Sequence, residues 1–127
     1  MKLDLIIVDD SSLWLSLSEK LALQHPLVGR VTTFEDSIDA WVYLQLCRPQ
    51  VVMTDIEMPG MDGLSFLEMF GKRVPFISSS TRAGYAVLAK ELGCADFLGK
   101  PFSKSDFDKA IRAVHKEFHH NSGSVVS

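Results

Sequence analysis

The sequence has little of what marks a membrane, disulfide-bonded or nucleic-acid-binding protein. No apolar run approaches the ~20 residues that a bilayer-spanning helix needs, and the start MKLDLIIVDD lacks a signal-peptide layout. A cytoplasmic location is therefore expected. Cysteine occurs twice, as Cys47 and Cys94, without the CxxC spacing of metal or redox motifs, so both read as reduced packing residues. Lys and Arg number 13 against 16 Asp and Glu, giving a formal charge of −3, and the basic residues form no cluster. Phosphate contacts need concentrated positive charge, so direct nucleic-acid binding by this chain is not expected. What is present, 127 residues of which 46% are hydrophobic, suffices for one domain with a real core.

Short apolar runs alternate along the chain with segments of helical period. Leu3-Asp4-Leu5-Ile6-Ile7-Val8 reads as a strand buried on both faces that stops at Asp9-Asp10. Ser11 or Ser12 caps a helix whose apolar face is read as Leu13, Trp14, Leu17 and Leu21, ending at Gln24-His25-Pro26. Arg30 to Phe34 is a second strand. A helix capped by Asp36 or Ser37 follows, with Ile38, Trp41, Val42, Tyr43 and Leu44 on its face. Gln50 to Thr54 leads to Asp55, and a Pro59-Gly60 turn precedes a short helix at Leu64 to Phe70. Val74 to Ser79 and Ala95 to Gly99 are further strands, separated by a helix at Ala86 to Leu92. The last helix, Lys104 to Phe118, carries Phe107, Ala110, Ile111, Val114 and Phe118 on one stripe. Five β-then-α units with short links predict a doubly wound α/β fold, a parallel sheet covered on both faces. Residues 1–119 form the domain, and 120–127 are a flexible tail or the start of a linker.

In such sheets the ligand site lies beyond the carboxyl ends of the strands. Those ends carry Asp9-Asp10, Asp55, the run Ser78-Ser79-Ser80-Thr81 and Gly99-Lys100-Pro101. Helix capping explains one such aspartate, not three. Gathered at one edge, three carboxylates repel each other unless a hard divalent cation joins them, and an oxygen-only donor set favours Mg²⁺. With a lysine and a hydroxyl opposite, a phosphoryl group can be held while a carboxylate attacks phosphorus.

The segments Ile6-Ile7-Val8-Asp9-Asp10-Ser11, Asp55-Ile56-Glu57-Met58-Pro59-Gly60-Met61-Asp62-Gly63 and Asp96-Phe97-Leu98-Gly99-Lys100-Pro101-Phe102 resemble the receiver domains of bacterial two-component response regulators. The resemblance runs from Leu5 to Phe118 and implies a flavodoxin-like five-stranded sheet of order 2-1-3-4-5. It implies Asp55 as phosphoacceptor, Asp10 and Asp55 as direct Mg²⁺ ligands with the Glu57 carbonyl, and Asp9 acting mostly through water. Lys100 would bind a phosphoryl oxygen, Pro101 matches the family's cis-bonded residue, and Ser80, five residues after Pro75, matches the switch hydroxyl, with Ser78 as the alternative. Phe97, core packing in any reading, matches the aromatic residue that changes rotamer. A sensor histidine kinase or phosphotransfer protein would be the donor, and an output domain or protein the reader. The expected consequence is a changed surface on the fourth helix, fifth strand and fifth helix, with a homodimer forming on phosphorylation.

Two features depart from the commonest receiver pattern. Ser80 and Lys100 are 20 positions apart, and the intervening helix contains Gly84-Tyr85-Ala86, as in receivers attached to LytTR-type outputs. Thr81 replaces the usual alanine and would restrict access to an acyl phosphate. Three other readings compete. A haloacid-dehalogenase-like phosphatase needs Asp-x-Asp where this chain has Asp55-Ile56-Glu57. A flavodoxin-like FMN carrier would have its phosphate repelled by Asp9-Asp10. A degenerate receiver acting as a scaffold would lack some of Asp9, Asp10, Asp55, Ser80 and Lys100.

Overall fold

The computed structural model describes the backbone of residues 1–126 and the side chains of residues 1–118. The elements alternate in chain order: β1 (Leu3–Val8), α1 (Ser12–Leu23), β2 (Val28–Phe34), α2 (Ser37–Leu46), β3 (Val51–Asp55), α3 (Gly63–Phe70), β4 (Phe76–Ser80), α4 (Tyr85–Glu91), β5 (Asp96–Gly99) and α5 (Lys104–Val126). The five strands are parallel and lie in the order β2-β1-β3-β4-β5, as expected. The tail or linker expected over 120–127 falls outside the residues with described side chains. Strand β4 begins two residues later than its apolar run because Pro75 has no N–H to give the ladder; its carbonyl instead accepts from Val52 N at 3.0 Å.

Alternate residues of the central strands feed two cores. Leu3, Leu5 and Ile7 of β1 pack with Leu15 and Ala22 of α1 and with Phe107, Ala110, Ile111 and Val114 of α5. Ile6 and Val8 point the other way, onto Ala40 and Leu44 of α2 and Phe66, Leu67 and Phe70 of α3. The period of two within β1 is masked in the sequence because both faces are buried.

Two helix faces differ from expectation. In α1 the buried stripe is Leu15, Ser18 and Ala22, while Leu13 is 66% and Leu17 44% exposed. In α2 it is Ser37, Ala40 and Leu44, with Ile38 and Val42 about half exposed. Both helices have apolar residues all round, so hydrophobicity alone does not pick the inner side. Small residues do, because Ser18, Ala22 and Ala40 let the helix axis approach the sheet. Cys47 is likewise not a packing residue; it is exposed at the end of α2.

One buried polar tie fastens the ends of α1 and α5. His25 Nδ1 accepts from Leu27 N at 3.0 Å, which leaves Nε2 as the protonated nitrogen donating to Asp108 Oδ1 at 2.8 Å. Arg112 reaches the same oxygen at 2.9 Å. Among the described residues no helix is long and apolar enough to cross a membrane.

In urea unfolding, Phe66→Ala should cost about 3–5 kcal/mol through the cavity it leaves. Leu13→Ala, on the outward face of α1, should stay within about 0.5 kcal/mol of the parent. Equal losses would put Leu13 back on the inner face.

Candidate functional site

Parallel pairing brings the three acids to one end of the sheet. Val8 is level with Thr54, so Asp9 and Asp55 leave adjacent strands side by side. Asp55 is opposite Ser79, and Ser80 is opposite Gly99, which sets Lys100 one residue beyond the same edge. Lys100 N then donates to Ser80 O at 2.8 Å and continues the ladder past β5. The Lys100–Pro101 peptide bond is cis.

Lys100 Nζ donates to Asp9 Oδ2 at 2.7 Å and to Asp55 Oδ1 at 3.2 Å. All three of these side chains are at least nine-tenths buried. Asp9 Oδ1 accepts from Ser11 N at 3.0 Å, and Ser11 Oγ caps α1 by accepting from Trp14 N at 3.3 Å. Asp10 is exposed, and carboxylate oxygens of Asp9, Asp10 and Asp55 lie within 4.8 Å of one another. One ammonium faces three acids. Burial therefore raises the Asp55 pKa from its ordinary 3.8 to about 6, with Asp9 and Asp10 pushing the same way and Lys100 opposing. The donor set is all oxygen, clustered and short of positive charge, and it fits a hard divalent cation.

The loop after β3 is held against this edge by small residues. A Cβ on Gly63 would collide with the Asp55 carbonyl oxygen and stand 2.8 Å from Ile56 Cα, so only glycine lets α3 start this close to the strand. Gly60 has φ +81, a left-handed conformation that disfavours other residues. Ser37, buried at the start of α2, donates to Pro59 O at 2.9 Å and accepts from Met61 N at 3.0 Å, clasping the loop on both sides of Gly60. Asp62 caps α3 through Ser65 N at 2.8 Å.

Of the residues singled out in the sequence, Asp9, Asp10, Asp55 and Lys100 come together. Ser80 ends β4 at the same edge, but its hydroxyl is engaged elsewhere: it accepts from Arg82 N at 2.9 Å and contacts Glu57 Oε1 at 3.4 Å. Arg82 Nε stands 3.4 Å from the same Glu57 oxygen. Ser78 is one row deeper, opposite Thr54 and Phe97, and among the described residues its buried Oγ has no hydrogen-bond partner. Thr81 is exposed beside Ser80. Phe97 is only half buried and joins neither core, contrary to the core role expected of it, because β5 is an edge strand.

Trp14, Ser37 and Arg82 carry structure at the site that the sequence did not signal. Trp14 was expected in the core but is half buried, with Lys100 Nζ 5.3 Å from its ring centroid. Its position one turn into the helix after Asp9-Asp10 was the available signal.

With this geometry in place, comparison with known proteins settles the family. The response regulator receiver domain profile matches residues 5–112. The chain belongs to the response regulator receiver domain family. This receiver is 35% identical over 120 residues to protein-glutamate methylesterase/protein-glutamine glutaminase 3 of Burkholderia thailandensis, covering 90% of this chain and 33% of that protein. It is 34% identical over 122 residues to the DNA-binding transcriptional regulator NtrC of Escherichia coli, covering 90% of this chain and 24% of NtrC. The receiver thus spans about a third or less of the curated relatives it matches. Among solved structures, NtrX from Brucella abortus superposes with a TM-score of 0.86 at 25% identity, covering 100% of this chain and 30% of NtrX. As a receiver, the chain is a phosphoacceptor signalling switch of two-component systems.

The folded receiver holds a proton on Asp55 more tightly than the unfolded chain does. The contribution of Asp55 to stability is therefore full below pH 3.8 and is lost as pH rises through about 6. In chelator-containing buffer, Asp55→Asn should raise Tm at pH 7.5, and the gain should shrink as pH is lowered through about 6. A gain that grows on acidification would reverse the sign of the Asp55 shift.

Proposed function

We propose that Asp55 is the phosphoacceptor of this receiver and that Asp9, Asp10, Lys100 and Ser80 serve the transfer. The observation that carries this reading is the pairing of Lys100 with both Asp9 and Asp55 at the buried end of the sheet. A pKa of about 6 leaves Asp55 mostly ionised at neutral pH and so nucleophilic. One of its oxygens attacks phosphorus, forming the new O–P bond. The bond from phosphorus to the donor breaks, and its electron pair leaves with the donor, a histidine imidazole or the carboxylate of a small acyl phosphate. When bound, Mg²⁺ would be held by Asp10, Asp55 and the Glu57 carbonyl, with Asp9 acting mostly through water, and would supply positive charge against the phosphoryl oxygens.

Lys100 keeps one bond to Asp9 while its ammonium turns to a phosphoryl oxygen. Ser80 has farther to go, because its hydroxyl first leaves Arg82 N and Glu57. Its departure vacates space beside the sheet on the side of Phe97, and α4, β5 and α5 present the altered surface. To carry a mostly-off population to mostly-on, the phosphoryl contacts favour the second state by about 5 kcal/mol, within reach of a few charge-assisted hydrogen bonds. The domain thereby assists its own phosphorylation and dephosphorylation.

The partners in this reading are a sensor histidine kinase or phosphotransfer protein, and an output domain or protein that reads the altered surface, with homodimerisation on phosphorylation as one form of that reading. The location is cytoplasmic. The phosphatase reading loses ground at residue 57, where a haloacid-dehalogenase-like enzyme needs a free acid/base aspartate. Here the side chain is Glu57, 3.4 Å from both Ser80 Oγ and Arg82 Nε.

Incubation with acetyl phosphate and Mg²⁺ should add one phosphoryl mass, and Asp55→Asn should abolish the adduct. Labelling of the variant at the parental level would move the phosphoacceptor elsewhere. Steady release of phosphate from many small esters would favour the phosphatase.

A further inference from the structure

We propose that Trp14 is a positioning residue for phosphoryl acceptance, its indole face holding the Lys100 ammonium against Asp9 and Asp55. This rests on the reading of Asp55 as phosphoacceptor. The ammonium is bounded on three sides: Asp9 Oδ2 at 2.7 Å, Asp55 Oδ1 at 3.2 Å, and the Trp14 ring with its centroid at 5.3 Å. Phe102, which packs on the α1/α5 core, backs the indole at a centroid separation of 5.2 Å and a tilt of 30°. Trp14 N donates to Ser11 Oγ, and Ser11 N donates to Asp9 Oδ1. The contacts thus close a circuit from Asp9 through Ser11, Trp14 and Lys100 back to Asp9.

A π face suits this place for a chemical reason. It attracts a cation yet accepts no conventional hydrogen bond, so the three N–H donors of Lys100 stay available to carboxylate and phosphoryl oxygens. A carboxylate in the same place would add charge repulsion to an already acidic cluster, and an aliphatic residue would offer the ammonium no electrostatic attraction on that side. Trp14 is half buried, and its packing partner Phe102 covers one face of the indole while Lys100 lies over the ring.

The test measures the initial rate of labelling by acetyl phosphate in Mg²⁺ for the parent, Trp14→Phe and Trp14→Leu, over a range of donor concentrations. Trp14→Leu should lower the maximal rate about three- to ten-fold with the half-saturating donor concentration unchanged, and Trp14→Phe should recover most of the loss. Parental rates in Trp14→Leu, or no recovery in Trp14→Phe, would overturn the proposal. Should the leucine variant fail to fold, the emission of Trp14 in a Trp41→Phe background decides. It should shift when Lys100→Met is added, and an unchanged spectrum would overturn the contact. Absence of labelling in the parent, or labelling that survives Asp55→Asn, strikes the phosphoacceptor reading instead, and the emission measurement still decides the Trp14 contact.

Discussion

Holding two buried carboxylates on one ammonium, with a third and exposed carboxylate beside them, is unfavourable for the protein alone, and the surrounding architecture serves to maintain it. Asp9 and Asp55 cannot move apart, because they leave hydrogen-bonded neighbouring strands. Lys100 cannot withdraw without leaving both of them buried and unpaired. The raised Asp55 pKa records the unrelieved part of that tension, with burial outweighing the lysine. A site with spare negative charge suits a hard divalent cation, which would relieve it.

The supporting elements divide the work. Strands fix the acids, while the segments that follow them fix everything else. Gly63 lets α3 begin directly behind Asp55, and Ser37 reaches across from α2 to clasp the intervening loop. Ser80 is the exception. Its backbone is locked in the ladder to Lys100, yet its hydroxyl is bound to Arg82 N and Glu57, outside the acid cluster. A rigid backbone bearing a side chain held outside the acid cluster is the resting arrangement that the proposed switch starts from.

Most of this was legible in the sequence, for identifiable reasons. Alternating buried strands and capped helices gave element bounds to within about two residues except at the end of α5, read to Phe118 and helical to Val126, and the strand-end acids and lysine stood out because charge at the end of an apolar run is unusual. The inner faces of α1 and α2 were misread because leucine, isoleucine and valine occur on both sides, and the contact is made by Ser18, Ala22 and Ala40, which hydrophobicity undervalues. Phe97 and Trp14 were misread for a related reason: a large aromatic is a strong core signal, whereas one stands on an edge strand and the other over a charge. Ser37 gave no signal, since a serine at a helix start is ordinarily a cap and here Asp36 is the cap.

The order β2-β1-β3-β4-β5 makes β3 the middle strand of five, with a neighbour on each side and a core on each face. The strand bearing Asp55 is thus braced on both edges and both faces, and under the proposed phosphorylation it resists bending when a new charge arrives at its tip. Information about that charge cannot travel down the strand as a displacement. It has to spill sideways over the rim, through loops and outer helices, so evolution can rewire what listens to the event without disturbing the anvil on which it happens.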